Sequence, residues 1–178
     1  MKRIPFAQFM FVILVVATAP FTVNADDYLA LPNGSKVDLS AHCPVCGMVV
    51  GGDMAAGVTY GYRDSKLVGF AGVAAAIFKD GKTVGFEGAR CLFIYNTVPK
   101  KFGIDVNDIA NRYCTDFTSG KLIDVNQAYL VMGTKVRGPM GYDLIPFADK
   151  NEAEKFKDKH EGKRIVQLGT VRIKDVER

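Results

Sequence analysis

The sequence predicts an α+β fold made of two small ββαβ units packed together. Three observations lead there: a strand–turn–strand signal centred on Asp80-Gly81, one short helix in each half, and the same order of elements in both halves. The 178 residues are 48% hydrophobic and 24% charged, enough for one sizeable or two small cores and unlike collagen, coiled coil or disordered chain.

In the first unit, 41–120, the apolar run that ends at Phe78 closes on Lys79-Asp80-Gly81-Lys82, so 74–78 and 83–86 pair as an antiparallel hairpin. After Gly88, positions Cys91, Leu92, Ile94 and Tyr95 recur with the spacing of a helix lying on a sheet, and Pro99 follows its end. A strand over 109–117 completes the unit. In the second unit, 121–178, an apolar strand over 128–132 is followed by a partner over 142–147. A helix over 149–160 comes next, with acids first and bases last, Asp149 as N-cap and Gly162 beyond its last turn. A strand over 165–171 closes it. Ahead of both units, 26–40 reads as a polar surface arm with turn formers Pro32, Asn33 and Gly34.

Residues 1–25 carry Lys2 and Arg3, an apolar run and a Val23-Asn24-Ala25 site before Asp26-Asp27, the pattern of a secretory signal peptide. The expectation is an exported, periplasmic protein, soluble or held by an uncleaved signal. Of 23 basic residues those two fall in the leader, leaving 21 against 19 acids. So small an excess gives no electrostatic reason to expect nucleic acid.

The densest set of soft ligands is His42-Cys43-Pro44-Val45-Cys46-Gly47-Met48. Its C-x-x-C has three readings: a redox pair, half of a zinc site, or a Cu(I) site. The redox reading wants a helix after the first cysteine, and Val49-Val50-Gly51-Gly52 is poor helix former. Zinc wants four ligands, and only the lone Cys91 and Cys114 remain to supply them. Cu(I) prefers thiolate and thioether, and an extended segment would aim Cys46 and Met48 to one side. His42 is an accessory candidate. A second soft group is Met140, set in Gly138-Pro139-Met140-Gly141, a turn with no face in which to bury a large apolar side chain. Cys91 and Cys114 read as a disulfide or as two buried thiols, and His160 as the cation at a helix C-terminus. No Ser-His-Asp set, phosphate loop or paired acids argue for an enzyme.

With both groups in view, the chain resembles the NosL family of exported copper-binding accessory proteins of nitrous oxide reductase maturation. The likeness runs through Cys43 to Met48, Phe78-Lys-Asp-Gly-Lys82, Phe86-Glu-Gly88, Tyr113-Cys-Thr-Asp-Phe117 and Ala128-Tyr-Leu-Val-Met-Gly133. It continues through Gly138-Pro-Met-Gly141, Ile145-Pro-Phe147 and His160-Glu-Gly162. The resemblance implies a fold similar to the organomercurial lyase and a non-enzymatic Cu(I) metallochaperone. It implies Cys46 and Met140 as ligands, with Met48 third and Cys43 able to replace Met48. It also implies nitrous oxide reductase and its membrane transporter-type maturation complex as partners of a monomer. Many family members carry a lipid-anchoring cysteine directly after the signal sequence, whereas the first cysteine here is Cys43. The alternative function is a thiol–disulfide oxidoreductase or organomercurial-type thiol enzyme using Cys43 and Cys46.

Overall fold

A computed structural model describes residues 28–52, 72–138, 140–172 and 174. The signal peptide expected over 1–25 lies outside them. Among the described residues no helix is long and apolar enough to cross a membrane.

The chain is α+β, and the two ββαβ orders are both present. In the first half β3 (Ala74–Phe78) pairs antiparallel with β4 (Thr83–Phe86) on one side and β5 (Ile109–Thr115) on the other, with α1 (Ala89–Thr97) between β4 and β5 in sequence. In the second half β7 (Tyr129–Gly138) lies between β8 (Gly141–Phe147) and β9 (Arg164–Val166), with α2 (Lys150–Lys159) between β8 and β9 in sequence. Each unit thus places its first strand centrally. The first sheet also takes in β6 (Leu122–Asp124) on the far side of β5, so it reaches beyond residue 120.

Local chemistry accounts for the elements. Gly81 turns the β3–β4 hairpin at φ +88°, a left-handed conformation that glycine adopts without a Cβ clash, and Asp80 accepts from the Lys82 N–H at 2.9 Å. The Asp149 carboxylate caps α2 by accepting from the Glu152 N–H at 2.9 Å. Phe156 of α2 then stacks on Phe117 and Phe147 with ring centroids 4.6 and 4.9 Å away, fixing the helix on its sheet. One core joins the halves, since Phe86 and Leu92 of the first pack with Leu130 and Leu144 of the second.

Three expectations change. The lead before residue 41 is not an irregular arm: β1 (Tyr28–Ala30) and β2 (Lys36–Asp38) form a hairpin that buries Leu31 and Val37. The closing strand shrinks to Arg164–Val166, and Leu168–Thr170 turns as a 3-10 helix capped reciprocally by Gln167 and Thr170. Beyond α2 the left-handed residue is Glu161, at φ 54°, rather than Gly162. Gly162 is small for another reason, because a Cβ there would meet Lys157 Cγ and Val131 Cγ1, each at 2.9 Å.

The N-terminal hairpin sets the site in place. A Cβ on Gly85 of β4 would lie 2.6 Å from Val37 Cγ2 and 2.8 Å from Val50 Cγ1. The segment on either side of Cys43 is therefore seated directly on the β4 backbone.

Candidate metal centre

His42 and Val49 form an antiparallel bridge, and inside it the chain doubles back. The Cys43 N–H donates to the Met48 carbonyl at 2.7 Å, and the Gly47 N–H donates to the Cys43 carbonyl at 2.8 Å. Gly47 sits at φ +78° to make this reversal. The chain turns over 44–46 and leaves the turn through left-handed Gly47, so 46–48 is not an extended segment and does not aim Cys46 and Met48 to one side as expected. Met48 contributes its backbone instead, with its carbonyl on Cys43 and its N–H on the Cys46 sulfur.

The turn brings Cys43 and Cys46 against the first turn of α1, where Cys91 waits. The three sulfurs all lie within 4.8 Å of one another. Cys43 and Cys91 are buried and Cys46 is part-exposed, so the cluster has an open side. Glu87, the residue before the N-cap Gly88, is itself buried, and its Oε1 accepts from Cys91 Sγ at 3.1 Å and from Cys46 Sγ at 3.3 Å. A carboxylate buried among thiols is costly unless hydrogen-bonded, and here both neighbouring sulfurs serve it.

The electrostatics divide the thiols. Cys43 is lowered to about 6, chiefly because the Cys91 thiol donates to it, with the backbone N–H groups of Cys46, Val45 and Glu87 adding to the effect. Cys46 is pushed up to about 12, first by burial and then by the neighbouring Cys43 and Glu87. Cys91 is raised, first by its hydrogen bond to Cys43 and then by burial. Each thiol has a single proton, so Cys91 divides its S–H between Cys43 and Glu87, and Cys43 is the sulfur most readily left as a thiolate.

The second soft group is tied to the same helix end. The Arg90 guanidinium donates to the Met140 carbonyl at 2.9 Å, and the Arg90 N–H donates to Asp143 Oδ1 at 3.2 Å. Asp143 reaches the helix end because Gly88 and Gly138 have no side chain: a Cβ on Gly138 would lie 2.0 Å from Asp143 Oδ2, and one on Gly88 3.3 Å. Met140 is 43% exposed at the tip of the β7–β8 hairpin. His42 is exposed next to the buried Cys43 and outside the sulfur cluster.

The structure thus assembles Cys43 and Cys46 with Cys91, and Glu87 beside them, which the sequence reading had not joined. Cys91 and Cys114 are both buried free thiols, not a disulfide, and Cys114 lies on β5 outside the cluster. A usable signal was present in Glu87 and Cys91, whose four-residue spacing across a helix start places the two side chains on one side of the first turn.

No curated protein matches the chain. Among solved structures, a crystal structure of the copper chaperone NosL from Shewanella denitrificans superposes with a TM-score of 0.58 and 21% identity, over 78% of this chain and 94% of that one. A solution NMR structure of the apo-NosL protein from Achromobacter cycloclastes gives a TM-score of 0.45 and 22% identity, over 58% and 87%. The first likeness is one of fold. The NosL family model matches residues 35–176, from the end of the β1–β2 turn to beyond the last 3-10 turn, and the chain belongs to the NosL family.

Proposed function

We propose that this protein is a non-enzymatic Cu(I) metallochaperone, acting in the periplasm to deliver copper for nitrous oxide reductase maturation. The observation that carries the reading is the three-sulfur cluster of Cys43, Cys46 and Cys91 within 4.8 Å. Sulfur in low coordination is the preference of a soft d¹⁰ ion, and membership of a family that includes a structure described as a copper chaperone points the same way.

Copper is cargo here, and the chain's residues determine how it is taken and released. Cys46, the part-exposed sulfur, meets the ion first, and Cys43, the favoured thiolate, joins it without having to lose a proton. Cys46 and Cys91 lose their protons on binding, which makes uptake release protons. Cys46 faces the open side, and Met140, on a hairpin tip pinned to the same helix, supplies a thioether that joins as a thiolate leaves. Such stepwise exchange suits a carrier, whereas a closed tetrahedral site holds its metal.

Anaerobic titration of the reduced protein against a chromophoric Cu(I) competitor should break at one equivalent. No break, or tight Zn(II) binding without preference for Cu(I), would remove the reading. The depressed Cys43 favours a second reading, thiol–disulfide exchange, but its 1% exposure leaves it out of a substrate's reach. Turnover of a disulfide substrate that needs both Cys43 and Cys46 would restore that alternative.

A further inference from the structure

The near-neutral charge balance of the chain hides a strongly uneven distribution. Between Met132 and Arg137, β7 bulges: Met132 faces Leu144 and Arg137 faces Tyr142, so the four residues 133–136 stand opposite Asp143 alone. Gly133 makes the bulge at φ +68°, with the Lys163 stem packed where its Cβ would be, at 2.8 Å. Bulges of this kind bend a strand and open space beside it.

The space is a cavity of about 740 Å³, with Arg90, Lys135, Arg137, Lys163, Arg164 and Lys174 on its walls and only Asp143 and Glu161 in opposition. One acid is already engaged, since Glu161 pairs with Lys135. The other accepts backbone N–H groups from Arg90 and Leu144 and is pushed up to about 7 by burial, which weakens its negative charge near neutral pH. Six cations and two acids in one cavity amount to +4, equal to the formal net charge of the whole chain. Walls of one sign focus potential and draw a ligand of opposite sign.

The rim carries the residue types of a protein interface. Met140 and Tyr142 are 43% and 48% exposed, and the Arg137 guanidinium lies 3.5 Å from the Tyr142 ring centroid. Exposed Met and Tyr with a half-buried Arg around a charged concavity are the composition found at contact surfaces, and Arg90 links the cavity wall to the Met140 carbonyl. We propose that this cavity is a docking site for an acidic segment of a partner protein, which it holds through carboxylates beside the Met140 turn. The docking goes beyond metal binding and does not depend on it; if copper is the cargo, the docked partner lies next to the ligand that hands it over.

The test uses the reduced mature protein and a hexaglutamate peptide, followed by NMR and calorimetry, with hexalysine and citrate at matched ionic strength as comparison probes. Hexaglutamate should bind at one site, shift the amides of 133–137, 142–144 and 163, and weaken steeply with added salt. Lys163→Glu combined with Lys174→Glu should reduce its affinity by at least about tenfold, while Lys79→Glu with Lys82→Glu, on the distant β3–β4 turn, should not. Failure to bind, shifts outside the cavity, or equal loss in both double variants would overturn the proposal. So would citrate binding as tightly as the peptide, which would make this a small-anion site. Cu(I) stoichiometry measured on the same variants should stay unchanged, so failure of the copper reading and failure of the docking proposal give different results.

Discussion

The Arg90 guanidinium holds the Met140 carbonyl at 2.9 Å, and Arg90 immediately precedes Cys91 in the first turn of α1. A hairpin tip from the second half and a sulfur cluster from the first are thereby referenced to one helix end. If Met140 contributes its thioether, Met140→Leu keeps size and apolarity while removing sulfur, and Cu(I) affinity should fall by about tenfold or more with the unfolding midpoint unchanged. Arg90→Gln should give a smaller loss by freeing the turn. Competitor titration of both variants measures this, and wild-type affinity in Met140→Leu would exclude the methionine.

The cluster itself predicts a ranking. Cys43→Ser, Cys46→Ser and Cys91→Ser each replace a soft donor by a hard hydroxyl and should each weaken Cu(I) by about tenfold or more. Cys114→Ser, on β5, and His42→Ala, in solvent, should leave affinity alone. Loss in Cys46→Ser without loss in Cys91→Ser would show that Cys91 is only a buried neighbour.

How much of this was legible in the sequence depends on the range of the interaction. The Asp80-Gly81 hairpin and the Asp149 cap rest on chemistry within four residues, and both stand where the sequence puts them. The repeated element order was visible for the same reason. The β1–β2 hairpin was not, because strands of three residues leave no periodicity to read, and their burial depends on Gly85 in another element. Cys91 was read correctly as a buried helical residue, but its meeting with Cys43 and Cys46 follows from seating residues 37–50 on β4, a contact no local pattern encodes. Glu87 was passed over because a carboxylate before a helix usually needs no explanation beyond the dipole.

That seating can be tested. Gly85→Ala places a methyl 2.6 Å from Val37 Cγ2 and 2.8 Å from Val50 Cγ1, neither of which is the end of a long flexible side chain. The N-terminal segment must lift, at a cost of about 1–3 kcal/mol for overpacking. Hydrogen exchange at the Cys43 and Val50 amides, bonded to Met48 and Ala41, should accelerate more than at the amides of β7. Copper affinity should fall with it, and unchanged exchange would mean that the segment is held by something else.

Asp143 gives the protein a pH dependence of definite sign. Burial raises it from 3.8 to about 7, so between those values the folded chain retains a proton that the unfolded chain has lost. Its contribution to stability is therefore complete below about pH 4, declines as pH rises through 7, and is level above. Both backbone N–H groups donate to the same oxygen, Oδ1, so Asp143→Asn preserves them with its amide oxygen. The variant should be more stable than wild type at pH 8 and lose this part of the slope between pH 5 and 8. Thermal melts across that range check it, and identical slopes would place the titration elsewhere.

The last expectation concerns the reactivity of the thiols, where acidity and access point to different residues. Cys43 is the better thiolate, lowered to about 6, but it is 1% exposed; Cys46 is reachable but pushed up to about 12. In the reduced apo protein, alkylation of Cys46 should therefore be slow at pH 7 and rise roughly tenfold for each pH unit, as the thiolate fraction does. Cys43 should react only as fast as its turn opens, with little pH dependence above 7. Bound Cu(I) should suppress Cys46 labelling throughout, because the metal and the reagent compete for one sulfur lone pair. Mass-spectrometric mapping at pH 7, 8 and 9 with and without Cu(I) separates these outcomes. Fast labelling of Cys43 at pH 7 would show that the turn opens readily, and equal Cys46 labelling in both states would exclude it as a ligand.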